Sequence, residues 1–303
     1  MNKKFLKIFL AISVLMQTEY LISASGWSML RKIFSPKSKS VAVTAVVGVR
    51  GDLSGIFYNP AVLGYNISRE IFLLSEYNEE TGLTGGLVYG QPMKNSSLAF
   101  GLAYYNAGQI RLSWLENNEL KEEDVNAQQD ILGLISYGRI LNKYLSIGLT
   151  LKFATSKLFE LSSANAFASD LGFVLTPNIG TLSIAGGIQN IGTASKFVRK
   201  ADNLPLSVFG AIGYAFYSKK WTRLYIAPGI TGTYLIEDKK FVPDFGIEAG
   251  YSPISVSLGY QINDESNFNL GVIYLKEKYD IAYSYVLGVY LHSSHRLSIG
   301  YRF

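Results

Sequence analysis

The chain has 303 residues, a formal net charge of +5 and no cysteine. Without cysteine it forms no disulfide and has no thiolate for catalysis or zinc binding, and its weak, dispersed positive charge excludes a nucleic-acid-binding face. The 29 glycines and 21 tyrosines beside only 8 prolines indicate β-structure, because glycine disfavours helices and tyrosine favours strands.

Residues 1–25 have the layout of a secretory signal peptide. Lys3, Lys4 and Lys7 precede an apolar run over residues 8–16, and small residues at 23–25 precede Gly26. The run of about nine residues is too short to span a bilayer as a helix, and no later stretch reaches the roughly 20 apolar residues that a spanning helix needs. A membrane location therefore requires strands, and we expect the mature chain to start near Gly26.

Residues 26–68 form a separate N-terminal segment in the predicted division of the chain. Residues 26–34 predict one or two amphipathic helical turns, the only helix expected, and residues 35–40 predict a polar break. No barrel strand is expected before residue 69.

From residue 69 to residue 303 the sequence predicts a transmembrane antiparallel β-barrel, an all-β fold. Apolar and small or polar residues alternate with period two, as in residues 145–153, 241–251 and 254–262. No helical layer is available to cover the apolar faces, which favours lipid as the outer solvent. About fourteen strands are expected, at residues 69–77, 83–91, 97–113, 130–139, 144–156, 165–175, 181–190, 205–216, 222–235, 241–252, 254–262, 267–276, 279–290 and 295–303.

The predicted connections differ in length between the two ends of this barrel. Alternate connections are short, and Lys219 and Lys220 lie in one of them; the longest ones, residues 114–129 and 191–205, belong to the other end. Short periplasmic turns and longer extracellular loops are typical of outer-membrane barrels. The acidic stretch from Glu116 to Asp124 is therefore expected outside the cell. The segment 98–114 is open to two interpretations, one bent strand or a hairpin.

Charged residues on the polar strand faces are candidates for the barrel lumen, because a basic side chain facing lipid near midplane costs about 2–4 kcal/mol. They either pair with one another and with the N-terminal segment, or line a solute path. Phe209 and Val174 face inward by the same alternation. The charged candidates are Lys152, Asp170, Asp244, Glu248, Asp280, Arg296 and Arg302.

The sequence gives little support for a catalytic site or a metal site. Ser294 and His295 are adjacent, and neighbours in a strand point to opposite faces, so they cannot share a proton. The chain has only 2 histidines, without a carboxylate cluster arranged as a ligand set. We therefore expect no enzyme activity, no metal and no cofactor.

The carboxy-terminal residues form an alternating strand that ends in an aromatic residue. Leu297, Ile299, Tyr301 and Phe303 share one face of the sequence HRLSIGYRF. This strand resembles the signal by which the outer-membrane barrel assembly machinery selects its clients. The resemblance implies that this machinery and outer-membrane lipids are partners, and that the chain resides in the bacterial outer membrane.

A second signature precedes the first strand, in the sequence VGVRGDLSGIFYNPAVLG at residues 47–64. Its Asn59, Pro60 and Ala61 resemble the Asn-Pro-Ala stretch in the N-terminal hatch of FadL-type fatty acid transporters and related PorV/PorQ-like proteins. The resemblance covers essentially the whole mature chain, and the modest length is closer to the PorV/PorQ type. It implies that residues 26–68 plug the lumen.

Two functions from different classes follow from this resemblance. The first is uptake or passage of hydrophobic small molecules through a plugged lumen. The second is an accessory or shuttle barrel that transports nothing and binds secreted proteins at its outer loops. A structural or adhesive barrel is a third possibility. Transport requires an apolar corridor, whereas protein docking requires a blocked lumen and an exposed apolar or charged loop surface.

Overall fold

The structure is a computed structural model that describes residues 27–32, 35–37, 52–78, 82–116, 119–160, 162–179, 181–195, 203–218, 224–262, 267–288 and 293–303. The predicted signal peptide and the predicted periplasmic pair Lys219 and Lys220 lie outside these ranges.

The described residues form short helices near the N-terminus followed by strands. One α-helical turn, α1, spans Ser28–Arg31, and two 3-10 helices follow, η1 at Leu53–Phe57 and η2 at Pro60–Tyr65. The strands are β1 Glu70–Asn78, β2 Gly82–Met93, β3 Ser96–Asn106, β4 Gln109–Glu116, β5 Glu119–Asn126, β6 Gln128–Asn142, β7 Leu145–Leu158, β8 Ser162–Leu175, β9 Leu182–Ala194, β10 Ser207–Tyr214, β11 Phe216–Tyr217, β12 Leu224–Leu235, β13 Lys240–Tyr251, β14 Ile254–Gln261, β15 Asn267–Lys276, β16 Tyr279–Leu287 and β17 Ser294–Arg302.

These strands close into a fourteen-stranded antiparallel barrel, which confirms the predicted fold class. Strands of the barrel pair with their neighbours in the chain, except that β3 pairs directly with β6 and β10 pairs with β12. The two-residue β11 extends the edge formed by β10, since both pair with β12. The barrel closes where the first strand meets the last, in a register from Glu70 opposite Arg302 to Asn78 opposite Ser294.

Two local predictions are wrong. The predicted strand 97–113 ends at Asn106, and neither interpretation of residues 98–114 holds, because β4 pairs with β5 in a separate hairpin instead of continuing β3 or pairing with it. Gly108 allows this break because its φ of +85° is a conformation that other residues rarely adopt. The two 3-10 helices were also not expected, because residues 26–34 were the only predicted helix and Asn59 and Pro60 were interpreted as a hatch motif without helical structure.

The barrel wall has an apolar outer face and a polar, small-residue inner face. Along β7, Leu149, Leu151 and Phe153 are exposed, whereas the intervening Thr150 and Lys152 are buried. The same alternation recurs around the barrel, so a continuous apolar surface faces outward. Such a band is stable only against lipid, because a large exposed apolar patch in water promotes association.

Among the described residues, no helix is both long and apolar enough to span a bilayer.

The two ends of the barrel differ as predicted. At the end that holds the start of β1 and the end of β17, here called the short-turn end, the connection between β13 and β14 is only residues 252–253. The opposite end, here called the long-loop end, carries the β4–β5 hairpin and the connection over residues 195–206.

Candidate functional site in the barrel interior

The two 3-10 helices, here called the inner helices and spanning residues 52–66, each begin with an acceptor side chain. Asp52 caps η1 by accepting a 3.0 Å hydrogen bond from the amide of Ser54. Asn59 caps η2 by accepting a 3.1 Å hydrogen bond from the amide of Ala61, and Pro60 occupies the first helical position, where its missing N–H costs nothing. The residues of both helices are almost fully buried.

A row of glycines on the inner wall makes room for Asn59 and Pro60. Gly138, Gly148 and Gly172 lie opposite one another on β6, β7 and β8. A β-carbon on Gly138 would lie 2.5 Å from the carbonyl oxygen of Pro60, and β-carbons on the other two would also strike Pro60 or Asn59. The row therefore lets the backbone of η2 lie directly on the wall.

Hydrogen bonds join the inner helices to this wall. The side-chain amide of Asn59 donates to the carbonyl oxygen of Phe173 over 3.2 Å, and the Ser146 hydroxyl donates to the carbonyl oxygen of Ala61 over 2.7 Å. The Asn59-Pro60-Ala61 stretch thus occupies a defined place inside the barrel, with its polar groups paired.

A β-bulge in β9 directs two consecutive amide side chains into the lumen. Asp170 of β8 lies opposite both Gln189 and Asn190, and the register shifts there. Asn190 has a left-handed φ of 62°. A bulge of this kind changes the direction in which the strand's side chains point. Gln189 donates to the carbonyl oxygen of Tyr58 over 2.9 Å, and Asn190 donates to that of Leu30 over 3.3 Å.

Lys152 and Asp170 form a buried ion pair beside the bulge. Their side chains are 2% and 0% exposed, and the Lys152 ammonium lies 2.7 Å from Asp170 Oδ2. Lys152 also donates to Asn190 Oδ1 over 2.8 Å, and Asp170 accepts from the Asn190 amide over 2.8 Å. Breaking such a pair from one side leaves an uncompensated buried charge, which costs about 3–5 kcal/mol.

A second group of ion pairs lies on the inside of the seam between β1 and β17. Arg296 contacts Glu76 over 2.5 Å, and Arg302 lies 3.4 Å from Glu70 and 3.2 Å from Asp280. Each arginine of the last strand therefore pairs with a glutamate of the first strand.

The described residues 27–32 and 35–37, here called the N-terminal arm, add basic side chains to the lumen. Lys32 lies 3.3 Å from Glu76, and Lys37 pairs with Asp280. Arg31 lies 2.7 Å from Asp238 in the turn between β12 and β13. Trp27, Met29 and Leu30 are buried in one apolar cluster with Tyr105, Leu132 and other wall residues. The arm is thus held by ion pairs and by apolar burial.

The structure places the remaining predicted lumen residues inward as well. Phe209 is buried opposite Gly187, and Val174 is buried beside Tyr58 and Ala61. Glu248 accepts a hydrogen bond from Tyr225, whereas Asp244 is half-buried nearer the long-loop end. The predicted assembly residues Leu297, Ile299, Tyr301 and Phe303 all face outward.

Several residues of this interior were missed by the sequence predictions. Glu70 and Glu76 occupy inward positions of β1, so the strand alternation alone could have found them. Asn190 and the glycine row could not be found in that way, because the bulge and the cross-strand register are not visible in one strand.

We expect Asn59→Ala to loosen the inner helices without unfolding the barrel. The change removes the η2 cap and the hydrogen bond to Phe173, each worth about 0.5–1.5 kcal/mol. Planar-bilayer recordings should then show brief, flickering openings that the unmodified protein lacks. Asn142→Ala is a matched control, since Asn142 caps an exposed turn between β6 and β7. Quiet recordings from the Asn59 variant would contradict this role.

The barrel resembles solved structures of outer-membrane transporters. The toluene transporter TodX of P. putida superposes with a TM-score of 0.57 at 11% identity, covering 83% of this chain and 94% of TodX. A Pseudomonas aeruginosa FadL homologue superposes with a TM-score of 0.55 at 12% identity, covering 89% and 98% of the two chains. A deletion mutant of TodX, described as a monoaromatic hydrocarbon channel, reaches 0.52 at 11% identity, with 84% and 95% covered.

No protein-family model matches the sequence, and no curated protein matches it significantly. At 11–12% identity the structural likeness establishes a shared fold. The likeness to FadL-type barrels is thus one of architecture.

Proposed function

We propose that the protein is an outer-membrane channel that passes hydrophobic small molecules through a lumen plugged by its own residues 26–68. One observation carries this proposal: the interior of a closed fourteen-stranded barrel is occupied by the N-terminal arm and the inner helices, which are held without covalent links. A barrel of this strand number encloses space that a smaller, side-chain-filled barrel lacks. Because a separate segment fills this space, movement of that segment can open the lumen.

The apolar lining supports a hydrophobic solute. The arm buries Trp27, Met29 and Leu30 against wall residues that include Ala103, Leu132 and Leu134. When the arm moves, this wall offers apolar contact to a solute in its place, as small-molecule sites generally do. The toluene transporter TodX has the same fold, so toluene is a reasonable first probe.

The orientation in the membrane is part of the proposal. The short-turn end would face the periplasm and the long-loop end the exterior, as is usual for bacterial barrels. The outward Leu297, Ile299, Tyr301 and Phe303 would be read by the barrel assembly machinery before insertion, and the apolar band would contact outer-membrane lipids.

A disulfide lock tests the transport proposal. A β-carbon on Gly64 would lie only 2.5 Å from Ser146 Oγ, so η2 must shift slightly away from β7 for the two β-carbons to reach the spacing of about 3.5–4.5 Å that a disulfide needs. The chain is otherwise free of cysteine, so Gly64→Cys with Ser146→Cys would create a single link between η2 and β7. We expect cells carrying the oxidised form to take up radiolabelled toluene at the rate of cells without the protein, and reduction to restore uptake. Equal uptake by the two forms would contradict a plug that must move.

A second function is favoured by the β4–β5 hairpin. The hairpin stands apart from the barrel sheet and exposes Glu119, Glu122, Glu123 and Asp124. The Arg111 hydrogen bond lowers the pKa of Asp124 below its ordinary value, so this carboxylate keeps its charge to a lower pH than a free aspartate does. A charged external surface above a filled lumen suits a PorV/PorQ-type accessory barrel that binds secreted proteins. A toluene uptake that does not depend on the lock would favour this alternative.

A further inference from the structure

The inner wall of the barrel carries more acidic than basic side chains. On the described strands, the inward acidic residues are Glu70, Glu76, Asp130, Asp170, Asp244, Glu248 and Asp280, and the inward basic residues are Lys152, Lys240, Arg296 and Arg302. The wall by itself therefore has a negative charge.

The N-terminal segment has the opposite charge. Residues 26–68 contain the five basic residues Arg31, Lys32, Lys37, Lys39 and Arg50 and one acidic residue, Asp52. The three that the structure describes each pair with an acidic residue of the barrel, namely Arg31 with Asp238, Lys32 with Glu76 and Lys37 with Asp280. The arm thus neutralises the acidic groups against which it lies.

Polar groups without partners lie between these ion pairs. Ser284 and Ser298 are fully buried on the inner faces of β16 and β17, and their hydroxyls have no hydrogen-bond partner among the described residues. In register, Ser284 lies opposite Arg296 of the Glu76–Arg296 pair, and Ser298 lies between that pair and the level of Asp280, whose Oδ1 also lacks a hydrogen-bond partner there. Carboxylate and hydroxyl oxygens grouped in this way suit a cation or a solute with hydrogen-bond donors.

We infer that the basic residues of the N-terminal arm neutralise an acidic pathway through the barrel, and that the opened lumen selects against negatively charged solutes. This inference rests on the proposed function, because it concerns the pathway that the plug closes. Displacing the arm leaves the excess of carboxylates facing a narrow, low-dielectric passage, which raises the local concentration of cations and repels anions. Uncharged or cationic hydrophobic compounds pass, and carboxylate-bearing amphiphiles are rejected.

The test uses the full-length protein in planar bilayers with a KCl gradient. The triple variant Arg31→Gln, Lys32→Gln, Lys37→Gln removes the arm's ion pairs without adding charge to the lumen. We expect its conductance to exceed that of the unmodified protein severalfold, and its reversal potential to report a severalfold preference for K⁺ over Cl⁻. Adding Glu76→Gln and Asp280→Asn should reduce that preference towards none.

Matched controls isolate the position of the charges. Lys157, Lys276 and Lys278 are exposed outside the lumen, and changing all three to glutamine alters the net charge equally. This control should stay closed. Arg31→Asp alone should open the barrel, whereas Arg31→Asp with Asp238→Arg should close it again, a rescue that a loss of packing would not show.

Each outcome bears on the inference separately from the proposed function. Open channels without selectivity, or with a preference for Cl⁻, would contradict the acidic pathway but not the proposal that the N-terminal segment plugs the lumen. A folded triple variant that stays closed would show that the ion pairs do not hold the arm, which overturns the inference as well. Toluene uptake that responds to the Gly64–Ser146 lock would still support transport in both cases.

Discussion

Deleting residues 27–60 should convert the protein from a closed barrel into an open channel. The deletion removes the arm, η1 and the Asn59–Pro60 contact with the glycine row, but leaves all fourteen wall strands and their pairing intact. The exposed lumen should have a radius of several ångströms, because interior width grows with strand number and this wall carries many small inward residues. Single-channel conductance in planar bilayers should rise on the order of tenfold over the full-length protein.

The β4–β5 hairpin provides the control for this deletion. The wall closes beneath it, since the Ala107 amide donates to Gln128 and the Ala127 amide donates to Gly108. Removing residues 109–126 should leave the conductance at the level of the full-length protein. If the deletion of residues 27–60 yields folded, heat-modifiable barrels with unchanged conductance, residues 26–68 are not a plug.

Replacing Phe303 with serine should sharply reduce assembly into the outer membrane while hardly changing the stability of barrels that do insert. Phe303 is 64% exposed on the outer face and packs edge-on against Tyr301, with ring centres 5.2 Å apart. Its amide donates to the Arg69 carbonyl over 2.9 Å, and this bond survives the substitution. A large loss of assembled protein therefore points to recognition of the terminal aromatic before insertion.

Phe241→Ser is the matched control, because Phe241 is a similarly exposed outer aromatic, at 60%, near the opposite end of the barrel. Heat-modifiability on gels would quantify the folded fraction in outer-membrane preparations. Equal amounts of folded barrel from the two variants would remove the basis for a special role of the carboxy terminus.

The barrel and its strand faces could be predicted from the sequence because the alternation within each strand shows which of its side chains face outward. In β14, Val256 and Leu258 alternate with Ser255 and Ser257, and the structure places the first pair outward and the second pair inward. The number of such alternating segments predicts the number of strands in the barrel wall. The same rule placed Lys152, Asp170, Arg296 and Arg302 in the lumen, where the structure has them paired.

The contacts within the lumen could not be predicted, because they depend on register and on irregular backbone. Gly138, Gly148 and Gly172 are far apart in sequence and form one surface only after their strands align. Asn190 faces inward only because a bulge shifts the alternation by one residue. The hairpin at residues 109–126 was missed for a related reason: alternation continues through the break at Gly108, and only the backbone conformation separates the strands.

The pairing of the first strand with the last determines the order in which this barrel can fold. Glu70 and Glu76 meet Arg302 and Arg296 only when β17 is in place, so the two inner ion pairs form at the moment of closure. The arm and inner helices precede β1 in the chain and lie inside the finished ring. A closed wall leaves no lateral entry for a peptide segment, so they enter either before the edges join or through an open end of the ring. Contacts between such distant parts of a chain form late and slowly. Closure of the wall is therefore the late step that creates the two inner ion pairs of the seam.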